Sequence, residues 1–80
     1  MVRGYNYDPE AGALYVRLAD LPYAYGHDLD TERRIDYAAD GTPIGIELTC
    51  VNAGIDLHDL PVPEKEIGRI AEELNLPVHA

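Results

Sequence analysis

The chain lacks several residue types on which enzymes and protein cores commonly depend. Its 80 residues include no serine, no phenylalanine and no tryptophan, and Lys65 is the single lysine. The absence of serine removes the commonest hydroxyl nucleophile, and Lys65 falls in a predicted helix, so two large enzyme classes are disfavoured. A core without phenylalanine or tryptophan has to be built from aliphatic residues and some of the six tyrosines. We therefore expect marginal stability in the isolated chain, which favours self-association.

Cysteine and N-terminal apolar residues are also scarce. Cys50 is the only cysteine, so no intramolecular disulfide can form, and no spacing of cysteine and histidine resembles a zinc site. The first ten residues contain no continuous apolar run, which argues against a signal peptide or a membrane span. We expect a soluble cytoplasmic protein that needs no metal and no cofactor.

Basic residues are few. Fifteen acidic residues against six basic ones give a formal net charge of −9 at neutral pH. This charge repels phosphate backbones, so we expect no nucleic-acid partner. It favours solubility or binding to a basic protein.

Two alternating apolar runs flank Asp40-Gly41, which predicts a β-hairpin closed by a two-residue type I′ turn. That turn sets Ile35 opposite Ile46 and Tyr37 opposite Ile44. The predicted inner face consists of Ile35, Tyr37, Ile44, Ile46, Leu48 and Cys50. The predicted outer face consists of Asp36, Ala38, Gly45, Glu47 and Thr49. A free cysteine at the end of the inner face is expected to pack in the core.

An earlier hairpin is predicted on the same grounds. A four-residue loop over 9–12 sets Tyr7 opposite Leu14 and Tyr5 opposite Val16, which collects the larger side chains on one face. The polar segment 19–34 alternates only weakly, through its tyrosines, and is predicted to be an edge strand with loops.

The C-terminal part of the chain has a helical pattern. Apolar residues recur at Ile67, Ile70, Ala71 and Leu74, between prolines at 63 and 77. The predicted fold class is therefore α+β: two antiparallel hairpins, with an extra edge strand, covered on one face by a C-terminal helix. We expect a single domain over 1–80, with sheet over 4–52, connector over 53–62 and helix over 63–76.

Two blocks of the sequence, YDPEAGALYVRL at 7–18 and DGTPIGIEL at 40–48, resemble a family of small, mainly bacterial proteins known as domain of unknown function 2283. In that family a Tyr-Asp-x-Glu turn leads into an Ala-Leu-Tyr-Ile/Val strand, and a later Asp-Gly turn leads into Gly-Ile-Glu. The likeness covers about the first two thirds of the chain, and the helical tail from Leu57 is not matched. The resemblance implies an antiparallel-sheet domain and brings no catalytic residue.

The carboxylates of Asp8, Glu10 and Asp40 are explained by turns, where such side chains cap local backbone donors. The acidic run from 28 to 32 starts like an EF-hand loop. Arg33 then stands where that loop requires glycine, and Ala39 stands where it requires a bidentate glutamate. The histidines are scattered along the chain. We therefore assign no catalytic, cofactor or metal residue.

The outer sheet face is the predicted contact face. Glu47 is expected to form a cross-strand ion pair with Arg17, while Tyr15 packs over Gly45. The residues assigned to this contact face are Tyr15, Arg17, Asp36, Glu47 and Thr49. The edge strand near Tyr23 and Tyr25 is the other candidate, because another strand could add there.

The preferred interpretation is a non-enzymatic protein-interaction module that forms a homodimer or binds another protein, without nucleic acid or membrane as a partner. Two alternatives remain open. One is a small ligand-binding or enzyme domain that uses the polar sheet face. The other is an acidic, antitoxin-like partner of a basic protein, which the net charge of −9 favours.

Overall fold

A computed structural model of the chain describes residues 2–79 and has an α+β architecture, as predicted. One sheet contains the antiparallel strands β1 (Gly4–Asp8), β2 (Ala13–Arg17), β3 (Tyr25–Asp28), β4 (Arg33–Tyr37) and β5 (Pro43–Leu48). A 3-10 turn (Val51–Ala53), β6 (Ile55–Asp56), helix α1 (Glu64–Glu73) and β7 (Val78–His79) follow. No helix within the described range is long and apolar enough to cross a membrane.

The strand order in the large sheet is β1-β2-β5-β4-β3, so β1 and β3 are its edges. The first hairpin has the predicted register, with Tyr5 opposite Val16 and Tyr7 opposite Leu14. Its loop is held by Asp8, whose carboxylate accepts hydrogen bonds from the next backbone N–H groups at 10 and 11 (3.1 and 3.2 Å). The segment predicted as an edge strand with loops contains β3.

The predicted register of the second hairpin is correct at Ile35, which lies opposite Ile46. It is wrong at Tyr37, which lies opposite Pro43 because of a bulge. The predicted type I′ turn is also wrong. Gly41 has a left-handed backbone, with φ of 87°, whereas Asp40 is not among the described residues that have a positive φ. The Gly41 N–H donates to the Ala38 carbonyl (3.0 Å), and the Ala38 N–H donates to the Thr42 carbonyl (2.9 Å). The loop thus has three residues rather than two, which displaces Tyr37 by one partner.

The core lies on one side of the sheet and includes residues from the helix. Its buried cluster consists of Leu14, Val16, Leu18, Ile46, Leu48, Val51, Ile55, Leu57, Ile67, Ile70 and Ala71. The prediction that Cys50 belongs to this core is wrong, because Cys50 is exposed. Strand β5 ends at Leu48, and Cys50 has a left-handed backbone with φ of 54° that begins the 3-10 turn. Val51 is buried in its place.

Helix α1 shows the predicted periodicity, with Ile67, Ile70 and Ala71 buried. It ends in a Schellman arrangement, in which the Leu76 N–H donates to the Ala71 carbonyl (2.8 Å) and the Asn75 N–H to that of Glu72 (3.2 Å). Asn75 takes the left-handed conformation that this ending requires, with φ of 57°.

A small parallel pair was not predicted. Ile55 lies opposite Val78, and Asp56 lies opposite His79. The Ile55 N–H donates to the Pro77 carbonyl (2.9 Å), and the Leu57 N–H donates to that of His79 (3.1 Å). The C-terminal segment is therefore tied to the segment that follows the large sheet.

Candidate contact surfaces

Tyr15 crosses the outer face of the sheet from β2 to β4. Its side chain lies over Gly45 of β5, where an added Cβ would overlap the Tyr15 ring and hydroxyl. The Tyr15 hydroxyl donates a hydrogen bond to the Asp36 carboxylate at 3.2 Å. One aromatic side chain thus spans three strands, and the glycine between them provides the necessary space.

The environment of Tyr15 keeps its phenol protonated. Burial raises the pKa of Tyr15 above its usual value, and the negative charges of Asp36 and Glu47 act in the same direction. Tyr15 is therefore a hydrogen-bond donor at neutral pH. It is poorly suited to act as a general base or a nucleophile.

Arg34 forms a second such crossing between β4 and β3. Its guanidinium lies over Gly26, forms ion pairs with Asp28 (3.0 Å) and Asp36 (3.5 Å), and donates to the Tyr23 hydroxyl (3.2 Å). The Tyr23 hydrogen bond, followed by that of Asp28, raises the pKa of Arg34. The guanidinium of Arg34 is thus engaged by side chains of β3 and β4 and by Tyr23, which precedes β3.

The predicted contact residues do not all meet. Tyr15 is opposite Glu47, and Arg17 is opposite Gly45, but no ion pair of 4.0 Å or less joins Arg17 to Glu47 within the described chain. Arg17 instead lies over Gly4 of the edge strand β1. Thr49 follows the end of β5, and both its N–H and its hydroxyl donate to the Glu32 carbonyl (2.9 and 3.3 Å).

A shallow depression of about 240 Å³ lies at the Tyr15 end of this face. Its lining includes Asn6, Asp8, Ala13, Tyr15 and Glu47. Such a depression could accommodate a small molecule in contact with one ring and two carboxylates. It is the feature that a ligand-binding role would use.

Residues 20–28, which we call the β3 edge, differ from the outer face in exposing apolar and aromatic side chains. Three of the four exposed large apolar or aromatic residues in the described chain precede or begin β3: Leu21 (44% exposed), Tyr23 (56%) and Tyr25 (48%). Tyr25 stacks on Tyr37 with ring centroids 5.1 Å apart. A depression of about 250 Å³ next to them is lined by Leu21, Pro22, Ala38, Ala39 and Asp40.

A cavity of about 310 Å³ lies between the large sheet and the β6–β7 pair. Arg33 lies beside it and connects the two. Its guanidinium bonds the Asp30 carboxylate (2.9 Å) and donates to the backbone carbonyls of Asp56 (3.2 Å) and His58. Within residues 2–79, no group of three or more histidine, cysteine, aspartate or glutamate side chains is arranged to hold a metal ion.

From the sequence alone, the basic pair Arg33-Arg34, flanked by Glu32 and Asp36, is interpreted as a neutralised surface. In the structure Arg33 is a largely buried clamp, with its side chain 10% exposed. The signal was present, because Arg33 is two residues from Ile35 and therefore shares the inner face of β4. Leu21 was also missed, although it continues the alternation of Tyr23 and Tyr25.

Comparison with known proteins identifies one family. A family model described as a protein of unknown function (DUF2283) matches residues 5–51. The match spans all five strands of the large sheet except the first residue of β1, and it ends before β6 and the helix. No curated protein and no solved structure is significantly similar to the chain.

Proposed function

We propose that this chain, which belongs to the DUF2283 family of proteins of unknown function, is a non-enzymatic protein-interaction module. Its contact surface in this proposal is the β3 edge. The observation that carries this proposal is the concentration of exposed Leu21, Tyr23 and Tyr25 in the β3 edge, where the first two precede the strand and Tyr25 begins it. Exposed apolar residues that cluster at an unpaired strand are typical of surfaces that bind another polypeptide. A second copy of the chain and a different protein are both partners of this kind.

The outer face is the less suitable surface for this role. Tyr15 already bonds Asp36, and Arg34 already bonds Asp28, Asp36 and Tyr23. A partner on this face would have to compete with these contacts, whereas a partner at the β3 edge would gain apolar burial and backbone hydrogen bonds.

Site-specific photo-crosslinking in cells tests the proposal. A photoreactive amino acid replaces Leu21 in one variant and Val78 in a control variant; both native residues are 44% exposed. We expect a discrete covalent adduct from position 21, whether with a second copy or with another protein, and none from position 78. Equal adducts at both positions, or none at either, would contradict an interaction role for the β3 edge.

A small ligand-binding domain is the second candidate, supported by the depression of about 240 Å³ beside Tyr15 and Glu47. A ligand held there would raise the melting temperature of the protein in a thermal-shift screen of small molecules. Glu47→Gln would reduce that shift. A screen in which every shift is insensitive to Glu47→Gln would remove this candidate.

A further inference from the structure

The backbone of the β3 edge is arranged to receive another strand. The Leu29 N–H donates to the Arg33 carbonyl (2.8 Å), and inward bonds of this type recur at every second residue of an antiparallel pair. Gly26 and Asp28 therefore direct their backbone groups away from β4. A polypeptide that approaches from that side finds donors and acceptors in the spacing of a β-ladder.

The side chains around this edge supply a strongly acidic environment. Residues 20–40 contain six acidic residues, at 20, 28, 30, 32, 36 and 40, against two basic ones, Arg33 and Arg34. Both arginines are engaged in ion pairs: Arg33 with Asp30 and Asp56, and Arg34 with Asp28 and Asp36. The Asp28 side chain remains 68% exposed despite its ion pair. The surface thus combines exposed apolar residues with excess negative charge.

This combination argues against a second copy as the occupant. Pairing of β3 with the β3 of another molecule would bring two acidic surfaces together, each on a chain with a formal net charge of −9. Like charges placed across an interface oppose association. A segment rich in lysine or arginine would instead be attracted to the same surface.

We propose that the β3 edge binds an extended basic segment of another protein, which adds to the sheet as a further strand beside β3. Apolar residues of that segment pack on Leu21 and Tyr25, and its basic residues lie near Asp28 and its acidic neighbours. This inference rests on the proposed interaction role and specifies the chemistry of the partner.

An NMR titration of the full chain with two synthetic peptides tests this inference. Both are acetylated and amidated octapeptides; one alternates lysine with valine, and the other alternates glutamate with valine. We expect the lysine peptide to shift the backbone amides of 20–28, and its affinity to fall as the ionic strength is raised from about 0.01 M to about 1 M. We expect the glutamate peptide to leave those amides unchanged.

Two matched variants locate the binding. Leu21→Ser should weaken binding of the lysine peptide at least about fivefold, because it removes apolar contact area at the edge. Val78→Ser removes an equally exposed apolar residue elsewhere and should change the affinity by less than about twofold. Amide spectra of the free variants show whether each retains the native fold.

Several outcomes would overturn the inference. These are equal binding of the two peptides, shifts centred outside 20–28, no binding of the lysine peptide up to about 1 mM, or a doubled mass by light scattering that Leu21→Ser abolishes. Each can occur while the adduct at position 21 is still observed in cells. In that case the interaction role stands, and only the basic segment is excluded as the partner.

Discussion

At the scale of single residues, the outer face depends on glycines that leave room for larger neighbours. Gly45 lies beneath Tyr15, Gly26 beneath Arg34 and Gly4 beneath Arg17. Glycine in a strand ordinarily weakens the sheet, because it has no side chain to pack and loses more conformational freedom on folding. Here the neighbouring side chain covers the exposed backbone, so each glycine and its covering residue form one packing unit.

Gly45→Ala should destabilise the protein by about 1–3 kcal/mol, because the added methyl overlaps Tyr15. The change in the free energy of unfolding is measured by urea denaturation, with circular dichroism as the signal. Gly68→Ala is the control: nothing lies within 4 Å of a Cβ at that helical position, so it should stabilise by up to about 1 kcal/mol. In a Tyr15→Ala background the cost of Gly45→Ala should shrink; an undiminished cost would show that the ring is not its cause.

Arg33 is the residue that connects the large sheet to the β6 segment. Arg33→Lys keeps the charge but cannot reproduce the fork that reaches both the Asp30 carboxylate and the carbonyls of Asp56 and His58. We expect a loss of about 2 kcal/mol in the free energy of unfolding. Arg69→Lys, on the exposed side of the helix, should change it by less than about 0.5 kcal/mol. Equal effects of the two substitutions would contradict the clamp.

Asp56 should make the stability of this region depend on pH. Hydrogen bonds from the His58 backbone and side chain, and the charge of Arg33, lower the pKa of Asp56 from 3.8. A carboxyl whose pKa is lower in the folded state contributes stability above its unfolded pKa and loses it as the pH falls through its folded pKa.

The comparison with Asp56→Asn isolates that contribution. At neutral pH the variant should unfold at a lower urea concentration than the native chain. The gap between the two midpoints should narrow below pH 3.8, as the native Asp56 becomes protonated. A gap that stays constant down to about pH 2 would show that the carboxylate charge is not involved.

At the scale of elements, the sequence predicts those features for which loop chemistry and apolar alternation agree. The first hairpin was predicted in register because a four-residue loop and the tyrosine alternation give one answer. The register of the second hairpin was predicted correctly at Ile35 and wrongly at Tyr37. Asp-Gly also suits a three-residue loop, and the alanines at 38 and 39 do not distinguish between a loop of two residues and one of three. Strands β6 and β7 have two residues each, too few to show any alternation.

The end of helix α1 provides a test at this scale. Asn75 is left-handed, a conformation that glycine adopts without the steric cost imposed by a Cβ. Asn75→Gly should therefore raise the free energy of unfolding by about 0.5–1 kcal/mol, and Asn75→Ala should lower it by a similar amount. Thermal unfolding measures both. Destabilisation by Asn75→Gly would mean that the Asn side chain has a further role.

At the scale of the whole molecule, the candidate site was predicted only in part. The register brings Tyr15, Asp36 and Glu47 together on the outer face, as the alternation of β2, β4 and β5 indicates. What alternation cannot reveal is which polar side chains bond one another within the sheet. The Tyr15–Asp36 hydrogen bond and the ion pairs of Arg34 occupy polar groups of this face, which is why we propose the β3 edge as the contact surface.

Hydrogen–deuterium exchange tests this central claim most directly. The protein is recovered with its bound partners, without denaturation, from the cells that produce it, and its amide exchange is compared with that of the purified free chain. We predict added protection confined to 20–28, with unchanged exchange in β2 and β5. Protection centred on Tyr15 and Glu47, or identical exchange in the two samples, would contradict the β3 edge as the contact surface.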